Sequence, residues 1–432
     1  MSLTCKLFQI LFLSFIILLI PHRSCAEEIF KVTPEVEHLL TELDSLLVCS
    51  DDINRAKEER IAAKRKAFGS SAGTERSYWL AAELYDEYKT YDSDSALVYA
   101  DRALALARTL GRRDLIDDMQ LNRAYVFSAT GLLDNAQSCL TDIDIKGLST
   151  TMLWKYHDAL LFLDTRRTQY IGDIGDGNSA GTAYPAEIDS LLQVTVAHIS
   201  PSDPNYCWFV GWSCFKGSRE AAEAIPLIRE SVDRRDFDNR RDAMDAWVLS
   251  KLYEYTGDYT SKLKYLVLSA IADMRSSNKE IASLEEIADI LLVNGDLDRS
   301  NAYITHAIAC ANSYKSRVRL GHLAHIQDLT LNAIHDRSVN QERQSRIMLV
   351  ALAIILIALI GVLVMMWRRT VQLRRSQADV ERINKELETQ VSETREAREE
   401  LRIANNKLSE MYGEARAGAK ALAEINESKE NY

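Results

Sequence analysis

His322 and His325, with His306 upstream, are the histidines clustered closely enough to bind a metal, since a spacing of three sets two imidazoles on one helical face. No Asp, Glu or Cys nearby in the sequence completes a coordination shell, so the histidines read as helix-surface residues and no metal site is expected. Asp173, Asp176 and Asn178 offer oxygen ligands inside the Gly-rich stretch between Ile171 and Pro185. A calcium loop needs carboxylates at alternate positions and a closing bidentate Glu, an order this stretch lacks, so it reads as an exposed loop. Asp273, Arg275, Lys279 and Glu280 form the densest polar cluster. A salt-bridged helix junction accounts for them, with a ligand or partner site as the alternative.

No phosphate-binding Walker loop, dinucleotide fingerprint, His-Glu-x-x-His or Cys-x-x-Cys occurs, and no nucleophile stands at a supporting spacing from a base. Catalytic residues, cofactors and enzymatic activity are therefore not expected. The residues after Trp367 carry Gly413 and Gly418 but no histidine, which argues against a histidine kinase. Cys207 and Cys214 can pair only across a loop, because on one continuous helix they stand roughly 10 Å apart. Buried free thiols are expected for them and for Cys49, Cys139 and Cys310.

The elements that position these residues follow from composition. The 432 residues are 47% hydrophobic with only 6 Pro and 17 Gly, too few turn signals for a many-stranded β fold, so the chain reads as all-α. Net charge is −11, and the excess of acid lies in the middle of the chain, because the residues after Trp367 carry 13 basic and 13 acidic groups. Nucleic acid is not an expected partner of such a surface.

Two apolar runs divide the chain. Leu7–Ile20, followed by Pro21 and Ser24-Cys25-Ala26, reads as a signal peptide over 1–26, since the run falls short of the ~20 residues that span a bilayer. Ile347–Met366 is an unbroken apolar run flanked by Arg346 and Trp367-Arg368-Arg369, and it reads as a transmembrane helix over 347–367. The signal peptide then places the domain at 27–340 in the periplasm and 370–432 in the cytoplasm, a single-pass topology in the inner membrane of a Gram-negative bacterium.

Between the runs a pattern recurs with a period near 40. Gly131, Gly217, Gly257 and Gly295 each precede an apolar stripe by one short turn, and Asp94-Ser95-Ala96 supplies an earlier copy. The pattern predicts helical hairpins. Glycine, or Tyr91-Asp92 in the first copy, ends one helix in a left-handed cap, and a small residue lets the next helix lie close. One hairpin cannot bury its own apolar face, so stacked copies are expected to form a curved solenoid with a concave face. The order of Ala124, Phe127, Gly131 and Ala136, and of Ala288, Leu291, Gly295 and Ser300, resembles the tetratricopeptide repeat, with Lys262 standing where a small residue is expected. Tyr78, Trp79, Tyr85, Tyr88 and Tyr91 fall at helical spacings as core residues.

Beyond the span, a seven-residue repeat runs through Leu373, Val380, Leu387, Leu401, Leu408 and Leu422, accompanied by Ile383, Met411 and Ile425. It predicts a coiled coil, and with it a homodimer.

The segment Ser269–Glu280 with Ile287-Ala288-Asp289-Ile290-Leu291, together with Tyr85-Asp86-Glu87-Tyr88 and Ala423–Glu430, resembles a family of Bacteroidetes membrane proteins of unknown function. The resemblance implies a signal peptide, periplasmic repeats, one span and a coiled coil preceding a helix-turn-helix-like region. The sequence reaches Asn431-Tyr432 about where that last region would begin. Three functions fit: a receptor that binds a periplasmic protein or peptide and relays its state through the coil, an envelope assembly scaffold, and a truncated membrane-bound transcription regulator.

Overall fold

A computed structural model describes residues 32–71, 73–174 and 186–429. The predicted signal peptide and the positions Asp176 and Asn178 lie outside these residues. The described residues form fifteen α-helices and contain no β-strand. In order these are α1 Pro34–Val48, α2 Ser50–Gly69, α3 Thr74–Tyr88, α4 Ser93–Leu110, α5 Arg113–Thr130 and α6 Leu133–Thr141. A 3-10 turn at Ile145–Gly147 leads into α7 Thr150–Ile174, α8 Ala186–His198, α9 Tyr206–Ser213 and α10 Ser218–Asp233. The series ends with α11 Arg240–Thr256, α12 Tyr259–Arg275, α13 Ala282–Val293, α14 Leu297–Tyr314 and α15 Arg317–Lys429.

Hairpin turns are built from two devices. Gly131 closes α5 in the left-handed region at φ 81°, where a Cβ would lie 2.9 Å from Val318 Cγ2, so this position needs glycine for its backbone and for its neighbour. The helices after Gly257 and Gly295 start on aspartate caps, as where Asp258 Oδ1 accepts from the Ser261 amide at 3.0 Å. The first copy departs from the expected left-handed cap, because the Tyr91-Asp92 turn uses no positive φ and Asp92 instead caps the start of α4. Gly217 departs too. It sits in extended backbone before α10, and Ala222 behind it is exposed while Ala221 and Ala224 turn inward.

The small positions otherwise pack as hairpin contacts: Ala96, Ala124, Ala136 and Ala288 are fully buried, and Ser300 Oγ donates to the Ala288 carbonyl at 2.8 Å. Lys262 fills its small-residue slot by meeting Glu254 at 2.7 Å, while Lys251 meets Glu286 at 2.8 Å beside it. A buried ammonium is tolerated there because carboxylates surround it. Of the predicted aromatic core, Tyr78, Tyr85, Tyr88 and Tyr91 are buried, whereas Trp79 is 50% exposed.

The solenoid does not stay open, and this the repeat pattern does not foretell. α1 packs on α12, and its Val36, Leu40 and Leu43 enter the same core as Leu263, Leu266 and Tyr303. Arg299 of α14 joins Glu37 at 2.7 Å and Asp44 at 2.9 Å. On the other side of the seam, Ser93 Oγ donates to the Tyr314 carbonyl at 2.6 Å, Tyr314 Oη donates to the Lys89 carbonyl at 2.5 Å, and Ser316 Oγ donates to the Ala129 carbonyl at 2.9 Å. First and last helices therefore meet, and the array closes into a ring.

This compact unit extends to Arg337, and the residues from Ser338 onward form a second one. Within the second, the helix is long and apolar enough to cross a membrane by length and composition. Its heptad residues Val380, Ile383, Leu387, Leu401, Leu408, Met411, Leu422 and Ile425 are 53–68% exposed.

Because Leu40 is fully buried, Leu40→Ala is expected to lower unfolding stability by about 2–5 kcal/mol in denaturant titration. A loss below roughly 0.5 kcal/mol, the range of ordinary surface changes, would mean α1 does not belong to the ring's core.

Candidate ligand cavity

Facing helix surfaces of the repeat unit line a half-open cavity of ≈ 120 Å³. Its walls come from α5, α7, α9, α11, α12, the link Ser276–Ile281 and the start of α13. Two of the predicted cluster residues, Asp273 and Glu280, line it. The other two face elsewhere and serve ring closure. Arg275 donates to the Asp236 carbonyl at 2.9 Å and reaches Glu42 of α1. Lys279 stands 3.9 Å from the centre of the Tyr91 ring, donates to Ser313 Oγ at 3.0 Å, and gives its backbone N–H to the Thr90 carbonyl at 2.8 Å.

The link that carries Glu280 is held rigidly. Ser277 adopts φ 53°, Asn278 Nδ2 donates to Asp273 Oδ1 at 2.6 Å, and Asn278 Oδ1 accepts from the Glu280 amide at 2.9 Å. Arg319 donates to the Ile281 carbonyl and pairs with Glu285 at 2.8 Å, which fixes the far end. Glu280 is thereby presented to three other helices. Arg166 of α7 donates to its Oε1, Tyr125 of α5 donates to its Oε2, and Arg240 of α11 lies 3.8 Å away while donating to Tyr125 Oη at 2.6 Å. Burial pushes the Glu280 carboxyl up, but Arg166 and Arg240 outweigh it and hold the group below the usual range.

Asp273 is the contrasting carboxylate. Among the described residues no Lys, Arg or His nitrogen lies within ion-pair distance of it, and burial lifts it to about 7 against the Asn278 hydrogen bond and the Arg240 charge. Asp158 is likewise raised by burial, and its Oδ1 accepts from Trp208 Nε1 at 2.7 Å.

The remaining wall is aromatic. Trp208, Trp212 and Trp247 cluster with ring centres 5.5–6.4 Å apart, and Phe162 stacks on Tyr125 at 4.8 Å. A wider groove of ≈ 430 Å³ shares Tyr125, Asp158 and Arg240 with the cavity and adds Lys89, Lys155 and Arg241. An apolar wall with a few convergent polar groups is the pattern of a ligand site.

The sequence clustering located Asp273 and Glu280 but missed Tyr125, Asp158, Arg166, Arg240 and the three tryptophans, which come from separate hairpins. The available signal was tryptophan, since Trp208, Trp212 and Trp247 are half of the chain's six. The histidines behave differently from their reading in one respect: His322 Nε2 lies 3.2 Å from Glu285, a carboxylate supplied by another helix and already held by Arg319. No group of three metal-ligating side chains occurs among the described residues. All five cysteines among them are free thiols, and Cys139, Cys207 and Cys310 are buried, but Cys49 is exposed and Cys214 only half-buried, against the expected burial.

The family model described as the SusR N-terminal TPR domain matches residues 48–324, the span from the end of α1 into α15. No curated protein matches the chain.

The raised Asp273 gives a pH test. An unfolded Asp titrates near 3.9, so from there to about 7 the folded state holds a proton that the unfolded state has lost, and stability falls as pH rises through this window. The charged groups acting on Asp273 are Arg240, Glu280 and Arg319. Asp273→Asn, which keeps an acceptor for Asn278, is expected to flatten the decline of Tm between pH 5 and 8. Equal slopes in the two proteins would contradict the assignment.

Proposed function

The chain belongs to the SusR N-terminal TPR family, and from that membership we propose that it is a single-span receptor whose repeat ring binds a protein segment or peptide at its central cavity. Tetratricopeptide domains are protein-binding helical repeats, and the ring supplies a built concave site. In this reading residues 1–26 direct export, the ring faces the periplasm, 347–367 cross the inner membrane, and the cytoplasmic heptads pair with those of a second copy.

The observation that carries the reading is the continuity of α15. Its first turns belong to the ring, where Val318, Leu323 and Ile326 are buried and Arg319 grips the link that presents Glu280. The same helix carries the apolar run and the heptads. Because Arg319 grips the link, occupancy of the cavity bears on the first turns of α15. A pure assembly scaffold needs no such coupling.

Cysteines placed singly at Leu387 or Leu401 test this, since the residues after the span contain no native cysteine. Cross-linked dimers are expected in membranes, with a yield that changes when ligand fills the ring. No dimer at either position removes the relay, and a dimer indifferent to ligand favours the scaffold.

A further inference from the structure

The cavity has an unbalanced inventory that points to a ligand class. Glu280 is matched by Arg166, Arg240 and Tyr125, but Asp273, only 6% exposed, is paired with no cation among the described residues. Arg166 Nε and Ser283 Oγ, both buried in the lining, make no hydrogen bond. Buried polar groups of this kind cost stability unless something else pairs with them. The tryptophan wall adds apolar surface and electron-rich rings beside the unpaired carboxylate, a setting that favours a cation attached to an apolar body. An anionic group there would face Asp273 and Asp158 together.

Size narrows the choice. At ≈ 120 Å³ the cavity is smaller than the roughly 150 Å³ that holds a benzene ring, so it admits an amine with part of its side chain, the rest lying in the half-open mouth, and not a folded partner.

We propose that the cavity takes an ammonium group joined to an apolar side chain, the chemistry shared by a free amino acid and a peptide amino terminus. Asp273 accepts from the ammonium, Trp208, Trp212 and Trp247 cover the side chain, and Arg166 Nε donates to the adjoining carbonyl or carboxylate oxygen. The assignment rests on the cavity being the ring's ligand site.

Isothermal titration of the full chain in detergent at pH 8 tests it with Phe-Ala-Ala, N-acetyl-Phe-Ala-Ala and L-phenylalanine. At least one of the two ammonium-bearing probes is expected to bind; tripeptide alone assigns a peptide terminus and phenylalanine alone a free amino acid. Acetylation of the tripeptide is expected to weaken binding roughly 10- to 100-fold, the worth of a charged hydrogen bond. Asp273→Asn should erase that ratio, while Thr109→Ala, on the exposed face of α4 outside the cavity, should preserve it. Equal binding of acetylated and free tripeptide overturns the ammonium assignment and leaves the receptor reading standing. Failure of both ammonium probes overturns the assignment as well. If Asp273→Asn does not fold, the acetylation ratio in the unaltered chain, and the affinity for phenylalanine, decide alone.

Discussion

A carboxylate taken out of water is surrounded by donors or takes up a proton; Asp273 follows the second course and Glu280 the first. Its partners come from α5, α7 and α11, while Arg319 of α15 anchors the backbone beside it. Helices far apart in sequence thus converge on one buried charge. Apolar packing brings hairpins together in order, but such packing alone permits a range of curvatures. The Glu280 hydrogen bonds add contacts of fixed direction that tie the link before α13 to α5, α7 and α11. Whether the network adds net stability is a separate matter from its effect on geometry, because a buried ion pair fixes arrangement more dependably than it contributes free energy.

Closure changes what a tetratricopeptide-type array can do. An open solenoid presents a long groove to an extended partner, whereas here the walls converge on a half-open cavity that shares residues with a wider groove. The seam that closes it mixes apolar contacts of α1 with exposed and half-exposed ion pairs such as Arg299 with Glu37. Those pairs contribute modestly in water. The seam therefore owes its strength to Leu40, Leu43 and Tyr303, and its register to the charges.

The sequence carried the hairpins well because their determinants are local. A glycine cap, a small residue at a helix crossing and an aliphatic stripe are each visible within one turn or two, and Gly131, Ala136 and Ala288 behave as their spacing implied. Local signals failed where a different residue supplied the contact. Asp92 caps the next helix in place of a left-handed turn, and Lys262 occupies a small-residue slot because Glu254 reaches it. Ring closure was illegible for a stronger reason. Ser93 with Tyr314, or Lys279 with Thr90, joins residues about two hundred positions apart, and nothing periodic marks either partner. The cavity was half legible. Asp273 and Glu280 lie close in sequence, but the Glu280 partners Arg166, Arg240 and Tyr125 each sit singly on a different hairpin.

The central claim is that the first and last helices form one cooperative body organised around Glu280. Hydrogen exchange of backbone amides in the full chain, read segment by segment under native conditions, measures this directly. α1, the Lys89–Ser93 turn and α12–α14 are expected to open together with similar free energy, and loss of the Glu280 carboxylate to lower protection in all of them at once. Independent, low-energy opening of α1–α4 while α11–α14 stay protected would contradict it.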